Sequence, residues 1–176
     1  LTNLFMCCKD YDNFYDSMKD IDAQNKDLFY KYQEELFNDI NHSDIDIPNY
    51  DLAMKFAYLV TQVWSGTNPE KGKFIDLKGK YKSKFDTFRD KLINNKFTDR
   101  LDKITDFENL DFEECIKKYD NEKAFHYIDA PYFKTEHYYS NNDFGLDDHK
   151  RLADTLKSIK GKFAMSYYYF PQLEEW

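Results

Sequence analysis

The run Ala124-Phe125-His126-Tyr127-Ile128-Asp129-Ala130-Pro131-Tyr132 decides how the chain is read. Its first six residues are rich in aromatic and β-branched side chains and predict a strand over 124–129. Pro131 locks its own φ and pushes Ala130 toward extended geometry, so the strand ends in a stiff turn. Working outward, Lys103–Phe107 and Lys162–Tyr167 read as further strands, Asp111–Tyr119 and Asp147–Ile159 as helices, and Pro171 as the start of another helix. Strands alternating with helices imply parallel pairing through crossover helices, the doubly wound α/β arrangement. In such sheets ligands sit outside the carboxyl ends of the strands, where Asp129, Ala130, Pro131 and Tyr132 fall. A carboxylate and a backbone carbonyl converging on one point suit an amino group with two N–H donors. The Tyr132 ring suits stacking on a base. The competing structural readings are Asp129 as a cap of the next turn and Tyr132 as a core ring.

The amino-terminal half has a different rhythm. Tyr11–Ile40 carries Phe14, Met18 and Ile21, then Leu28, Phe29, Tyr32, Leu36, Phe37 and Ile40 at helical spacing. Asn41–Pro48 is a polar break, and Tyr50–Trp64 reads as a helix stopped by Ser65-Gly66. Thr67–Lys84, with two glycines and Pro69, reads as loop or short hairpin. Phe85–Ile93 and the stretch around Leu101 read as short helices.

Composition narrows the function classes. The 176 residues suit one domain of ordinary size. With 41% hydrophobic and 19% aromatic residues, the chain is too rich in core formers to be disordered. No apolar run reaches the ~18–20 residues of a membrane span, so no membrane partner is expected. Cys7, Cys8 and Cys115 leave one cysteine unpaired in any scheme, which points to a reduced, cytoplasmic setting. Four scattered histidines offer no metal-ligand spacing. His126 reads as a packed histidine, His149 as lying at a helix start, and Cys115 as core.

The net charge is -8, yet it is unevenly spread. Lys55–Arg100 holds 11 Lys/Arg against 5 Asp/Glu, whereas the rest of the chain holds 14 against 28. Lys71, Lys73, Lys78, Lys80, Lys82, Lys84, Arg89 and Lys91 are interleaved with Phe74, Tyr81, Phe85 and Phe88. Phosphate binding needs a local field rather than a basic protein, so this stretch is either a nucleic-acid face or a solvated lysine-rich loop.

Tyr127-Ile128-Asp129-Ala130-Pro131-Tyr132 resembles the Asp-Pro-Pro-Tyr motif of the adenine-N6 DNA methyltransferases, specifically the Dam-like class. Asp111-Phe112-Glu113-Glu114-Cys115-Ile116-Lys117-Lys118-Tyr119-Asp120 is similar to the segment that precedes the motif in that class. Downstream, Asp148-His149 with Leu152, and Gly161-Lys162-Phe163-Ala164-Met165-Ser166-Tyr167, resemble its later landmarks. Upstream, Trp64-Ser65-Gly66 and Gly72-Lys73-Phe74 resemble the start of its DNA-recognition region. The resemblance runs from about Tyr58 onward and implies part of a Rossmann-like AdoMet-dependent methyltransferase fold with a helical and loop DNA-recognition region. It divides the chain into 1–54 as a helical part of the catalytic domain, 55–102 as the target-recognition region, and 103–176 as the catalytic α/β part. It further implies S-adenosyl-L-methionine as cofactor, double-stranded DNA as partner and no metal. Asp129 and the Ala130 carbonyl would accept hydrogen bonds from the amino group of a flipped adenine, held by Pro131 and stacked on Tyr132. Asp111 and Phe112 would lie near the cofactor adenine. Lys73, Lys78, Lys80, Lys82, Lys84 and Lys134 would meet the DNA. The loop 133–145, with His137, Tyr138 and Tyr139, would close over the base or touch DNA, or is plain surface.

Two departures stand beside the resemblance. Ala130 replaces the first proline of the motif, which keeps the carbonyl acceptor and loses some rigidity. The class's glycine-containing AdoMet loop has no counterpart, because none of the five glycines forms a GxG. Leu1 and Trp176 read as cut ends, so that loop either precedes Leu1 or is lost. The alternatives are therefore an active adenine-N6 enzyme, a catalytically inactive DNA-binding relative, and an enzyme acting on cytosine N4 or RNA adenine. The acid at Asp129 resembles the adenine enzymes, whereas serine there is typical of cytosine-N4 enzymes.

Overall fold

A computed structural model describes residues 1–38, 47–64, 67–94, 98–133 and 144–176. The chain forms two compact units, Leu1–Phe107 and Glu108–Trp176.

The first unit is helical: α1 (Thr2–Lys9), α2 (Tyr11–Asp16), α3 (Lys26–Phe37), α4 (Tyr50–Gln62), α5 (Lys84–Ile93) and α6 (Thr98–Leu101). Asn25, Asn49 and Ser83 start α3, α4 and α5 by accepting from the N–H groups of Leu28, Leu52 and Asp86. Phe14, Phe29, Tyr58, Leu59 and Phe85 are fully buried and build one core that α4 runs through. The 54/55 position lies inside α4. Burial pushes the Cys7 and Cys8 thiols up to about 12, so both are inert packing groups at neutral pH.

The single helical pattern expected over 11–40 is interrupted after Asp16 and resumes at Lys26. The break is supported by side chains from elsewhere in the unit. The Arg89 guanidinium collects the carbonyls of Met18, Lys19 and Ile21 at 3.0, 3.0 and 2.9 Å, and the Tyr58 hydroxyl donates to those of Asp22 and Asn25. Carbonyls left over by the helix end thus find donors. The strand expected at Lys103–Phe107 does not form. That segment instead closes the helical unit, with Ile104 O accepting from Lys9 Nζ at 2.7 Å and Phe107 stacked on Phe5. The helix stop at Ser65-Gly66 lies outside the described residues.

The second unit holds α7 (Phe112–Tyr119), β1 (Phe125–Ile128), α8 (Leu146–Ser158), β2 (Lys162–Met165) and a 3-10 turn at Pro171–Glu174. β1 and β2 pair in parallel, Phe125 opposite Lys162 through Ile128 opposite Met165. Parallel pairing requires a crossover, and α8 lies within it. Ile116 of α7 and Leu152 and Leu156 of α8 form the core, with Ile128 and Met165 packed against it. The sequence thus yields one βαβ unit, the repeating piece of a doubly wound fold. The larger sheet expected is not present among the described residues. Phe125 and Tyr127, on the other face of β1, are 65% and 68% exposed. Among the described residues no helix is long and apolar enough to cross a membrane.

Truncating Phe85 to Ala removes a fully buried ring that meets Tyr58 at 5.0 Å. It should cost about 3–5 kcal/mol of stability, read by urea unfolding.

Candidate active site

The place where β1 ends is fixed from both strands. At its start, the Asp120 carboxylate accepts from the N–H groups of Lys160 and Gly161 at 2.8 and 3.0 Å and lies 3.4 Å from His126 Nε2. These bonds, that to Lys160 foremost, hold its carboxyl below the usual range. A Cβ on Gly161 would stand 2.6 Å from Ala124 O, so only glycine fits between the two chains. At its end, Ser166 N–H donates to Ile128 O at 3.2 Å. Beyond that bond Asp129 emerges into solvent, followed by half-buried Ala130, Pro131 and Tyr132. Among the described residues no donor engages the Asp129 carboxylate or the Ala130 carbonyl. Two acceptors on adjacent residues are therefore open to a ligand.

They stand at the rim of a pocket of about 560 Å³. Its walls come from α7 (Phe112, Cys115, Ile116 and Tyr119), from β1 and Asp129–Pro131, and from Phe144 and Leu152. The volume lies within the range of small-molecule sites, and the lining is apolar and ring-bearing with few polar groups. Of the residues marked out in the sequence, Phe112, Asp129, Ala130 and Pro131 come together here.

Tyr132 does not line the pocket. Its hydroxyl lies 2.7 Å from Ser166 Oγ and its ring centroid 4.5 Å from that of Tyr168. Asp111 is also outside. It caps α7 by accepting from Glu113 N–H, and it receives both arms of the Arg151 guanidinium at 2.7 and 3.0 Å. The same guanidinium reaches Glu113 and Asp148 and sits 4.0 Å from the Phe112 ring centroid. Arg151, unmarked in the sequence, thus fixes the wall residue Phe112. An arginine on an exposed-looking helix face carries no signal for this, because the partners it holds at α7 are 38 and 40 positions away. His126 is packed against Asp120, and His149 is buried in the first turns of α8 and hydrogen-bonded to the Tyr167 hydroxyl. Cys115, expected in the core, is half-buried on the pocket wall.

The basic stretch belongs to the helical unit. Lys73, Lys78, Lys80, Lys82 and Lys84 are all exposed. Lys78 and Gly79 take successive positive φ values of 51° and 67°, the pattern of a type I′ turn, closed by Lys80 N–H donating to Leu77 O at 3.0 Å. The loop is anchored from behind. Gln33 Nε2 donates to the carbonyls of Pro69 and Gly72, and Leu77 N–H donates to Gln24 Oε1. Lys82 pairs with Asp90, whereas no described carboxylate pairs with Lys73, Lys78, Lys80 or Lys84. Arg89 is turned inward as a structural residue. Lys134, His137, Tyr138 and Tyr139 lie outside the described residues.

A parallel βαβ unit that ends in an acid, a carbonyl and a proline beside an apolar pocket places the second unit in the α/β class. Its family is explicit: the chain belongs to the D12 class N6 adenine-specific DNA methyltransferases, whose family model matches residues 1–176. No curated protein and no solved structure matches it significantly.

The Arg151 cluster generates a pH prediction. Hydrogen bonding to Arg151 foremost holds Asp111 below the usual carboxylate range, and the Gly145 N–H and then Arg151 do the same for Asp148. Carboxyl values lowered by folding contribute stability that is present at neutral pH and lost as pH falls through the lowered values. Thermal unfolding followed from pH 7 down should therefore show a steep loss below about pH 4. Arg151→Gln should be less stable at neutral pH and show a shallower acid limb.

Proposed function

We propose that the protein transfers a methyl group from S-adenosyl-L-methionine to N6 of adenine in double-stranded DNA. Membership in the D12 family supports the reaction class. The observation that carries the site is the open pair of acceptors, Asp129 and the Ala130 carbonyl, stiffened by Pro131 at the rim of the pocket. An exocyclic amino group has two N–H donors, and these two acceptors bind both at once. To reach them the adenine must leave the helix, as for any enzyme that works on a base edge.

Asp129 has two roles here. It orients the amino nitrogen, and its negative charge stabilises the positive charge that develops on that nitrogen as the methyl group arrives. Ala130 works through its backbone, so alanine in place of the usual proline leaves the acceptor intact. The cofactor, when bound, supplies the electrophilic methyl group. Phe112, Ile116 and Phe144 fit its adenine half. No GxG turn stands beside them for its methionine half, and this motivates the second reading, a relative that binds DNA without transferring a methyl group.

The lysines of the anchored turn fit the phosphate backbone. A rigid turn carrying Lys78 and Lys80 beside Lys73, Lys82 and Lys84 concentrates positive charge in an otherwise acidic protein. Such contacts add affinity and register rather than sequence choice. Lys134 belongs to the same proposal from its sequence position alone.

Tritiated S-adenosyl-L-methionine with mixed-sequence duplex DNA, followed by nucleoside digestion, tests the reading. N6-methyladenine is expected, falling by more than about a hundredfold in Asp129→Ala while DNA binding persists. DNA binding without any methyl transfer would favour the inactive relative. Lys78→Glu with Lys80→Glu should weaken binding to every duplex and reduce the slope of log K against log salt by ~2. An unchanged slope would remove these lysines from the interface.

A further inference from the structure

Tyr132 closes the motif, yet it is held from a different strand. Ser166 follows β2 directly, and its N–H is the last donor of the parallel ladder, to Ile128 O at 3.2 Å. The ladder that releases Asp129 into solvent therefore also delivers the Ser166 hydroxyl, 2.7 Å from the Tyr132 hydroxyl. The ring of Tyr132 meets Tyr168 at 4.5 Å and Tyr167 edge-on at 5.8 Å. Tyr167 is itself tied to His149, which is 3% exposed in α8. A tilted and an edge-on ring contact together with the hydrogen bond to Ser166 restrict the χ angles of this half-buried ring.

We propose that Ser166 is a positioning residue: by bonding the Tyr132 hydroxyl it sets the plane in which the ring receives the flipped adenine. The inference rests on the reading of Asp129–Tyr132 as the adenine site. The stacking partner of the base is then registered to the amino-group acceptors through β1–β2 pairing, so ring and acceptors move together. A hydrogen bond of this kind contributes little to ground-state DNA affinity, most of which comes from phosphates. Its loss appears in the chemical step, where a displaced base is misaligned.

The test is a double-mutant cycle on the full chain: wild type, Ser166→Ala, Tyr132→Phe and the double variant, assayed for kcat and KM on unmethylated genomic DNA. Each single variant removes one end of the same bond. Each is expected to lower kcat about threefold to tenfold, with KM for DNA changed by less than about twofold. The double variant should be no slower than the slower single variant. Losses that multiply in the double variant, or an unchanged kcat in Ser166→Ala, would overturn the positioning role while leaving the adenine reading intact. A wild-type protein that forms no N6-methyladenine would overturn both.

Discussion

Parallel pairing of β1 with β2 is the constraint on which the candidate site depends. Two parallel strands cannot be joined by a tight turn, so the chain has to leave β1 at its carboxyl end, pass through α8 and return to the starting edge. The exit point is therefore a place where backbone groups stop being used by the sheet. Ile128 O is the last acceptor of the ladder, and Asp129 and Ala130 follow it outside the strand pairing. Asp120 secures the opposite end by taking the N–H groups of Lys160 and Gly161 before β2 begins. With both ends fixed, Pro131 can present its neighbours at a defined angle.

The pocket depends on a second layer of fixation. Phe112 would be one aromatic at the start of a two-turn helix if Arg151 did not cover its face while gripping Asp111. One guanidinium here connects α8 to the cap of α7, so the helix that completes the crossover also shapes the pocket wall. Planar, bidentate geometry makes arginine suitable and lysine a poor substitute. The helical unit repeats the same logic with neutral groups. Gln33 and Gln24 hold the loop before α5 by backbone atoms, which leaves its lysines facing solvent.

Much of this was legible in the sequence. Helical spacing located α3, α4, α5, α7 and α8, and the 124–129 run located β1 with its proline stop. Asp129, Ala130 and Pro131 were marked by residue type alone, and Phe112 by the segment before them. Where local reading failed, the reason was distance along the chain. Lys103–Phe107 looks like a strand, but it is used by α1 through Lys9 and Phe5. The helical period across 11–40 continues past the point where Arg89 and Tyr58 stabilise a break. The partner of Tyr132 is equally invisible locally, because Ser166, which meets its hydroxyl, comes from the other strand.

The sequence by itself determined the local elements, the stiff turn after β1 and the family, because periodicity, proline geometry and a contiguous motif are properties of neighbouring residues. The tertiary structure alone decided which groups serve the motif. Arg151 reaches Asp111 across 40 positions, Ser166 reaches Tyr132 across 34, and Lys160 reaches Asp120 across 40. Such pairings are set by strand register and crossover, which bring together residues that no local pattern links.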